Sequence, residues 1–467
     1  MSRVAVPVRG ARAETKAGGR ALAGDNADGG TQVFDTAVDA PSRVADRIAA
    51  RDRFAEIRRE SEALAANLTP EDQAIQSMPD ASPTKWHLAH TSWFFETFIL
   101  RPLDPRYRVF DPAFAYLFNS YYEAAGPRHP RPERGLLSRP SVEAVGAYRD
   151  HVTAAMLRLI EGAGAATWRE AAPLVELGLH HEQQHQELIV MDIKHVFSVN
   201  PLLPAYQAPR PHAVAAAPRR QWIGFAGGLV EIGHAGGDFA FDNEGPRHKV
   251  WLDPFRLASH PVSCGDYLEF IADGGYRRPE LWLSDGWANV QQQAWRAPLY
   301  WRRADAEWRI FTLSGERPLD PLEPVCHVSF YEADAYARWA DKRLPSEAEW
   351  ELAADALDNG RPPRGNLADS GHLHPCPDTA ATDGKPALRQ MIGDVWEWTA
   401  SPYIAYPRFR PVTGAIGEYN GKFMSNQMVL RGGAAVTPAG HLRITYRNFF
   451  PPAARWAFSG LRLAEDC

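Results

Sequence analysis

The 467-residue chain has little that would connect it to an oxidising compartment, a membrane or a nucleic acid. It has four cysteines without C-x-x-C spacing, so neither a disulfide framework nor a thiolate metal site is indicated. No apolar run approaches the roughly 20 residues that cross a bilayer. A net charge of −6 gives no basic excess for nucleic acid or anionic lipid. We therefore expect a cytoplasmic protein that binds neither nucleic acid nor a membrane. The sequence leaves its oligomeric state unknown.

Composition divides the chain into two domains with a tail and a linker, as its length also suggests. Residues 1–40 are rich in Ala, Gly and Arg, have no apolar signal segment and predict a disordered tail. Residues 41–200 show helical spacing of apolar residues and predict a bundle of about four long helices. Residues 201–220 are proline-rich, contain no acidic residue and predict a linker. Residues 221–467 alternate short apolar runs with turn residues and predict a loop-rich α+β domain.

Helix starts within the first domain are marked by capping hydroxyls beside prolines. Thr69-Pro70, Ser82-Pro83 and Pro140-Ser141 have this signature. We expect helices from these points, the second reaching Leu100 and the third about Glu161.

The stretch L-H-H-E-Q-Q-H-Q-E-L-I-V-M-D-I at 179–193 predicts a metal site on a helix. His181 and His185 are four positions apart, so both rings project from one helical face and can reach one ion. His90, on another predicted helix of the bundle, is the expected third ligand. His87 is the rival, or a partner that orients a ligand. Three neutral imidazoles without a thiolate or carboxylate would leave positions open for substrates.

The run H-E-Q-Q-H also matches the zinc-protease signature H-E-x-x-H, in which the glutamate is a general base. Leu188 and Met191 stand where a metzincin would have Gly and His. No acidic residue follows Asp192 until Glu231, so a thermolysin-like third ligand is also missing. The sequence therefore disfavours a zinc hydrolase.

Several longer runs resemble one family of enzymes. In the first domain they are S-P-T-K-W-H-L-A-H-T-S-W-F-F-E-T-F-I-L at 82–100 and H-E-Q-Q-H-Q-E at 181–187. In the second they are C-H-V-S-F-Y-E-A at 326–333, R-L-P-S-E-A-E-W-E at 343–351, G-D-V-W-E-W-T at 393–399, L-R-G-G at 430–433 and S-G-L-R-L at 459–463. From about residue 45 onward the chain resembles the ergothioneine-biosynthetic sulfoxide synthases, the EgtB family. The resemblance implies a multidomain α and α+β fold, with a DinB-like four-helix bundle before a C-type-lectin-like domain of the formylglycine-generating-enzyme type.

One departure limits the chemistry of that second domain. Formylglycine-generating enzymes carry paired cysteines just after the Arg-Gly-Gly segment, whereas residues 434–458 contain none. We therefore expect this domain to wall the active site instead of performing thiol chemistry.

The resemblance implies an oxygen-dependent oxidoreductase that uses Fe(II), held by His90, His181 and His185. The enzyme would join hercynine to a thiol, giving a sulfoxide, with hercynine, the thiol and O₂ as its small-molecule partners. The Tyr121-Tyr122 pair would deliver a proton or hydrogen atom that diverts the reaction from thiol oxygenation, although such a pair can also be packing.

The resemblance also implies the substrate contacts. Arg131, or secondarily Arg128, would hold the thiol carboxylate, although both could be solvated surface charges. The hercynine site would be lined by Gln184, Tyr419, Asn448, Phe449 and Phe450, with Asn448 at the carboxylate and Phe449 near the trimethylammonium.

The sulfur donor is predicted from two positions. Family members that use γ-glutamylcysteine have Asp and Arg where this chain has Phe450 and Ala454, so cysteine is the expected donor, with Arg455 as a possible substitute anchor. The alternatives are a selenoneine synthase that uses a selenosugar, and a non-catalytic lectin-like binding module.

Overall fold

The structure is a computed structural model that describes residues 47–211, 220–357, 363–378, 387–418 and 420–467. The predicted tail, residues 212–219 of the predicted linker and the candidate residue Tyr419 lie outside these ranges. Within them, no helix has the length and apolar character needed to cross a membrane.

Four long helices form the first part of the described chain. They are α1 (Arg47–Ala65), α2 (Thr84–Phe95), α3 (Val142–Gly162) and α4 (Ala165–Val199). A π-helical turn, Glu96–Leu100, prolongs α2 to the predicted end, and the Ser141 hydroxyl caps α3 as expected. The start predicted at Thr69-Pro70 gives only the 3₁₀ turn Asp72–Ala74, so the helix predicted there is wrong. The connection from α2 to α3 contains short helical turns, which are Arg101–Leu103, Phe114–Leu117, Glu123–Ala125 and Arg131–Leu136.

The second part combines small sheets with short helices. The helices are α5 (Cys264–Ala272), α6 (Ser284–Gln292), α7 (Phe330–Trp339) and α8 (Glu347–Asp355). The strands are β1 (Trp222–Phe225), β2 (Gly228–Ile232), β3 (His248–Leu252), β4 (Phe255–Ala258), β5 (Trp301–Ala304), β6 (Glu307–Thr312), β7 (Gly315–Pro318), β8 (Trp396–Pro402), β9 (Met428–Arg431), β10 (Asn448–Phe450), β11 (Ser459–Leu461) and β12 (Ala464–Asp466).

These strands form four sheets, ordered β1-β4-β12, β10-β9-β8-β11, β2-β3 and β5-β6-β7. Only the pairing of β11 with β8 is parallel among the described strands. The predicted fold class, a helical bundle followed by an α+β domain, is therefore confirmed.

Helix α4 belongs to two hydrophobic cores. Val175, Leu179 and Ile189 pack in the core of the bundle, whereas Val190 and Ile193 join the core of the second part. A helix that is apolar on several faces is buried on several faces. Because α4 also carries the predicted metal pair, the helix that bears the site is anchored in both parts of the molecule.

Candidate metal centre

Three buried histidines meet where α2 packs beside α4. His90 comes from α2, and His181 and His185 come from α4. One nitrogen of each ring lies within 4.8 Å of the others, which is the arrangement that can hold a metal ion. The structure thus brings together the three histidines that the sequence predicted.

Hydrogen bonds orient the ring of His90. Its Nδ1–H donates to the carbonyl oxygen of Phe118 at 2.6 Å, so Nε2 carries the lone pair. That Nε2 lies 3.2 Å from Nε2 of His181. Two nitrogens about 2.1 Å from one metal ion at a right angle are about 3 Å apart, so this separation fits two neighbouring ligands.

His87 orients His185 instead of joining the three. Its Nε2 lies 3.1 Å from Oδ2 of Asp192, and its Nδ1 lies 2.8 Å from Nδ1 of His185. The carboxylate only accepts, so His87 donates from Nε2 and its Nδ1 accepts the proton of His185. The backbone N–H of Ser82 also donates to Asp192, at 2.8 Å. This order leaves Nε2 of His185 with its lone pair available for a metal.

Burial keeps these rings neutral. It lowers the pKa of His181 to about 3, against the attraction of Glu182. Burial, reinforced by the neighbouring histidines, also holds the pKa values of His90 and His185 well below the usual range. Neutral imidazoles with fixed tautomers are good ligands for iron, copper or zinc, so the residues fit an iron centre.

Aromatic side chains hold the ligand rings in place. Trp86 stacks on His90 with ring centroids 4.8 Å apart, and Trp93 stacks on the same ring at 5.5 Å. Phe94 stacks on His181 at 4.7 Å. The rings are therefore fixed before any metal binds.

Glu182, the general base in the zinc-protease interpretation, serves another purpose. It is fully buried and lies 3.0 Å from both Arg58 and Arg149. Burial raises its pKa, but the two guanidinium groups outweigh this effect and the pKa is lowered overall. A carboxylate fixed between two arginines is a structural ion pair, which removes the base that a zinc hydrolase would need.

The tyrosine pair lies in the loop after α2. Tyr122 is buried, with its ring centroid 5.6 Å from that of Trp93 and 4.8 Å from that of Tyr121. Trp93 in turn contacts His90. Burial raises the pKa of Tyr122, so its phenol stays protonated. Tyr121 is half-buried and faces Phe423 of the second part at 5.1 Å.

The arginines of this loop differ in burial. Arg128 is exposed and pairs with Glu123 at 3.1 Å, and Arg131 is exposed and donates to the carbonyl of Asp80. Arg134 is 4% exposed, and its guanidinium lies 3.3 Å from the centroid of the Trp86 ring. Burial, with help from Arg131, lowers the pKa of Arg134 to about 8.

Sequence reasoning missed Arg134. The ring of Trp86 connects it to His90, and the Ser82 hydroxyl accepts from its Nη1 at 2.9 Å. Within the described residues its Nε has no hydrogen-bond partner. A buried guanidinium with an unused donor is suited to an anionic ligand. The sequence carries no signal of this burial, because an arginine in a proline-rich loop is normally exposed.

The predicted hercynine residues lie on α4 and on the strand region around β10. The amide of Gln184 lies 2.6 Å from the hydroxyl of Tyr446. Phe449 stacks on Tyr403 with centroids 4.1 Å apart, and Asn448 accepts the N–H of Phe449 at 2.9 Å.

The remaining two predicted hercynine residues are Phe450 and Tyr419. Phe450 lies edge-on to Trp456 at 5.7 Å and packs against the second core. For Tyr419, the assignment stays a sequence prediction.

Two family models match the chain. Residues 53–189 match the DinB superfamily, and residues 208–467 match the sulfatase-modifying factor enzyme 1-like domain.

Hercynine oxygenases of several species match most of the chain. A hercynine oxygenase of Mycolicibacterium thermoresistibile is 33% identical over 407 residues, covering 83% of this chain and 88% of that protein. A hercynine oxygenase of Mycobacterium tuberculosis is 34% identical over 406 residues, covering 83% and 92%. A formylglycine-generating enzyme of Streptomyces coelicolor is 30% identical over 319 residues, covering 56% of this chain and 96% of that enzyme.

Proposed function

The chain belongs to the hercynine oxygenase family, the EgtB family of oxygen-dependent oxidoreductases, and we propose that it joins hercynine to cysteine to give hercynylcysteine sulfoxide. The observation that carries this proposal is the group of three buried histidines. Their hydrogen bonds leave lone pairs on Nε2 of His90 and His185, as a metal ligand requires.

Fe(II) is the proposed metal, held by His90, His181 and His185. When bound, it would supply the activation of O₂ and a site for the hercynine imidazole and the thiolate. The remaining tasks fall to side chains of this protein.

The proposed task of the tyrosine pair is to supply a proton or hydrogen atom beside the iron site. The protonated phenol of Tyr122 and its contact with Trp93, next to His90, support this role. Tyr121 is the more exposed of the two and faces the second domain. Either would favour carbon–sulfur bond formation over oxygenation of the thiol alone.

Arginines are proposed to hold the carboxylate of the thiol substrate. Arg131 was the candidate by position in the sequence, and Arg128 the second candidate. The burial of Arg134 beside Trp86 favours adding it as the main anchor, because a charge-assisted hydrogen bond is stronger away from water.

Cysteine is the proposed sulfur donor because two positions of the second domain lack the charged side chains that would pair with a γ-glutamyl group. Phe450 and Ala454 cannot pair with its charges. Arg455, the possible substitute, is already engaged with Glu332 at 2.8 Å and lies over the ring of Trp295. Desolvating an unpaired charge costs at least a few kcal/mol, and about 2.8 kcal/mol corresponds to roughly a hundredfold in kcat/KM.

The test is a competition between cysteine and γ-glutamylcysteine at equal concentration, with the iron-loaded protein, hercynine and oxygen. We expect cysteine to be consumed preferentially and its hercynyl sulfoxide to form. Preferential use of γ-glutamylcysteine would overturn the donor assignment. A separate reaction with a selenosugar tests the selenoneine alternative, and no hercynine-dependent product from any donor would overturn the proposed function.

A further inference from the structure

A chain of four hydrogen bonds runs from α1, through the second domain, to Gln184 on α4. Arg53 Nη2 lies 3.1 Å from His180 Nε2, and His180 Nδ1 lies 3.1 Å from His441 Nδ1. His441 Nε2 lies 3.1 Å from the Tyr446 hydroxyl, which lies 2.6 Å from the Gln184 amide. The three middle residues are buried. None of these bonds is used by the metal ligands themselves.

The arginine fixes the direction of this chain. A guanidinium has donors and no acceptor, so Nε2 of His180 accepts and its proton sits on Nδ1. His180 then donates to Nδ1 of His441, which leaves the proton of His441 on Nε2. Burial, with Arg443 beside it, holds the pKa of His441 well below its usual range, so this ring is neutral. Nε2–H of His441 therefore donates to the oxygen of Tyr446.

This donor–acceptor order also decides whether the oxygen or the nitrogen of the Gln184 amide faces Tyr446. Burial raises the pKa of Tyr446, so its O–H is retained. Among the described residues, the hydroxyl of Tyr446 has only His441 and Gln184 as hydrogen-bond partners. Because His441 donates to it, its own buried O–H is satisfied only by donating to Gln184, and only the amide oxygen can accept this bond. An amide is nearly symmetric in shape, so a half-turn moves its oxygen into the position that the nitrogen occupies in the structure, 2.6 Å from Tyr446.

We propose that Arg53, His180, His441 and Tyr446 are positioning residues that make Gln184 present its amide N–H groups, and not its oxygen, to hercynine. This inference rests on the proposed function. A donor at this position selects the carboxylate of hercynine, which only accepts hydrogen bonds. The imidazole N–H of hercynine would need an acceptor instead, and its trimethylammonium forms no hydrogen bond.

The test compares binding of hercynine with binding of its decarboxylated analogue. Dissociation constants are measured by anaerobic calorimetry on the iron-loaded protein without thiol. We expect Gln184→Glu to weaken hercynine binding more than about tenfold and to leave the analogue nearly unchanged, because a second carboxylate repels the first. Tyr446→Phe removes the bond that holds the amide oxygen and should weaken hercynine binding about tenfold with the same selectivity.

Substitutions at the far end of the chain test the ordering itself. Arg53→Met should reduce the preference for hercynine over the analogue at least about twofold. Without the arginine, both donor–acceptor orders of the four hydrogen bonds become populated, so the Gln184 amide adopts both orientations. Arg53→Lys restores a charged donor and should restore the preference. Arg51→Met removes an exposed charge from the same helix and is the matched control. Melting temperature and iron content are recorded for every variant, so that misfolding is recognised.

Two results would overturn the inference. One is Gln184→Glu binding hercynine as tightly as the unmodified protein, which would mean that an acceptor is needed. The other is Arg53→Met with an unchanged ratio of the two dissociation constants. Failure of the unmodified protein to bind hercynine would instead overturn the proposed function.

Discussion

The ring of His87 stands between Asp192 and the proposed ligand His185, so its removal should act through that ligand. Loss of such an orienting partner typically weakens metal binding 10–100-fold. We expect His87→Ala to bind Fe(II) more weakly by about this factor, yet to reach one iron per chain at excess metal. Alanine at His90, His181 or His185 should prevent stoichiometric loading.

Anaerobic Fe(II) titration against a competing chelator measures both effects. His129→Ala, a substitution in the loop after α2, is the control. The assignment of the third ligand is wrong if His87→Ala cannot be loaded while His90→Ala loads fully.

Arg134 and Arg131 can be separated by kinetics. Arg134→Met should raise KM for cysteine about tenfold or more, because the lost hydrogen bond to a charged group is shielded from water. Arg131→Met should have a smaller effect, because an exposed charge pair contributes little. Steady-state kinetics at matched iron content test this order. A larger effect of Arg131→Met would restore the anchor that the sequence predicted.

Residue spacing predicted the three histidines but not their surroundings. His181 and His185 follow from the helical repeat, and His90 follows from its place on a neighbouring helix. The role of His87 stayed open because it depends on how α2 and α4 pack. Arg134 was missed because an arginine in a proline-rich loop gives no sign that Trp86 covers it.

At the scale of elements, the turn Glu123–Ala125 that follows the tyrosine pair is capped from the second domain. The carboxylate of Glu418 accepts the backbone N–H groups of Glu123 and Ala124, both at 2.9 Å. Lys422 donates to the carbonyl of Tyr121 at 2.9 Å. A cap of this kind typically stabilises a helical turn by about 1 kcal/mol.

Glu418→Ala should therefore loosen the tyrosine pair and shift product from the hercynyl sulfoxide toward cysteine sulfinate. Of the two variants Tyr121→Phe and Tyr122→Phe, the one that removes the acting hydroxyl should produce the same shift in product. Glu418→Gln keeps an acceptor oxygen and is the matched control. Quantifying both products by mass spectrometry gives the ratio. An unchanged ratio in Glu418→Ala and in both tyrosine variants would remove the proposed role of the loop.

Helix prediction succeeded where a long apolar pattern supported the capping signal. At Thr69 the capping hydrogen bonds do form, since its hydroxyl accepts from the N–H of Asp72 at 3.1 Å. The turn nevertheless ends at Ala74. Pro79 disfavours helical backbone at Met78, and no apolar stripe follows to bury a helix there. A cap alone was therefore insufficient evidence for a helix.

At the scale of the whole molecule, α4 connects the domains through polar contacts as well as apolar ones. Glu187 accepts from Trp396 at 2.7 Å and from Thr437 at 2.5 Å. Lys194 is fully buried, with Nζ 2.7 Å from Nε2 of His327. The sequence predicted two domains, but it could not predict that one helix serves both, because side-chain partners across domains have no fixed spacing.

Lys194 should make the stability of the protein depend on pH. Burial lowers its pKa to about 7, and the nearby Cys326 thiol stays neutral because its own pKa is raised to about 12, mainly by burial. Unfolded lysine titrates near 10.4, so between these values the unfolded state binds a proton that the folded state does not. Stability contributed by this group therefore rises as pH increases from about 7, by at most about 1.4 kcal/mol per pH unit.

We therefore expect Lys194→Met to melt at a higher temperature than the unmodified protein at pH 7, because it removes the cost of a buried charge. The difference in melting temperature should narrow by roughly 4 °C between pH 7 and pH 9, as the lysine becomes neutral in the folded protein. Lys249→Met, at an exposed position on β3, is the matched control and should show no such trend. Calorimetry across this range at constant ionic strength makes the comparison. A difference that stays constant with pH would mean that Lys194 remains charged, held by the rings of Tyr300 and Phe458 that lie 4.9 and 4.7 Å from its nitrogen.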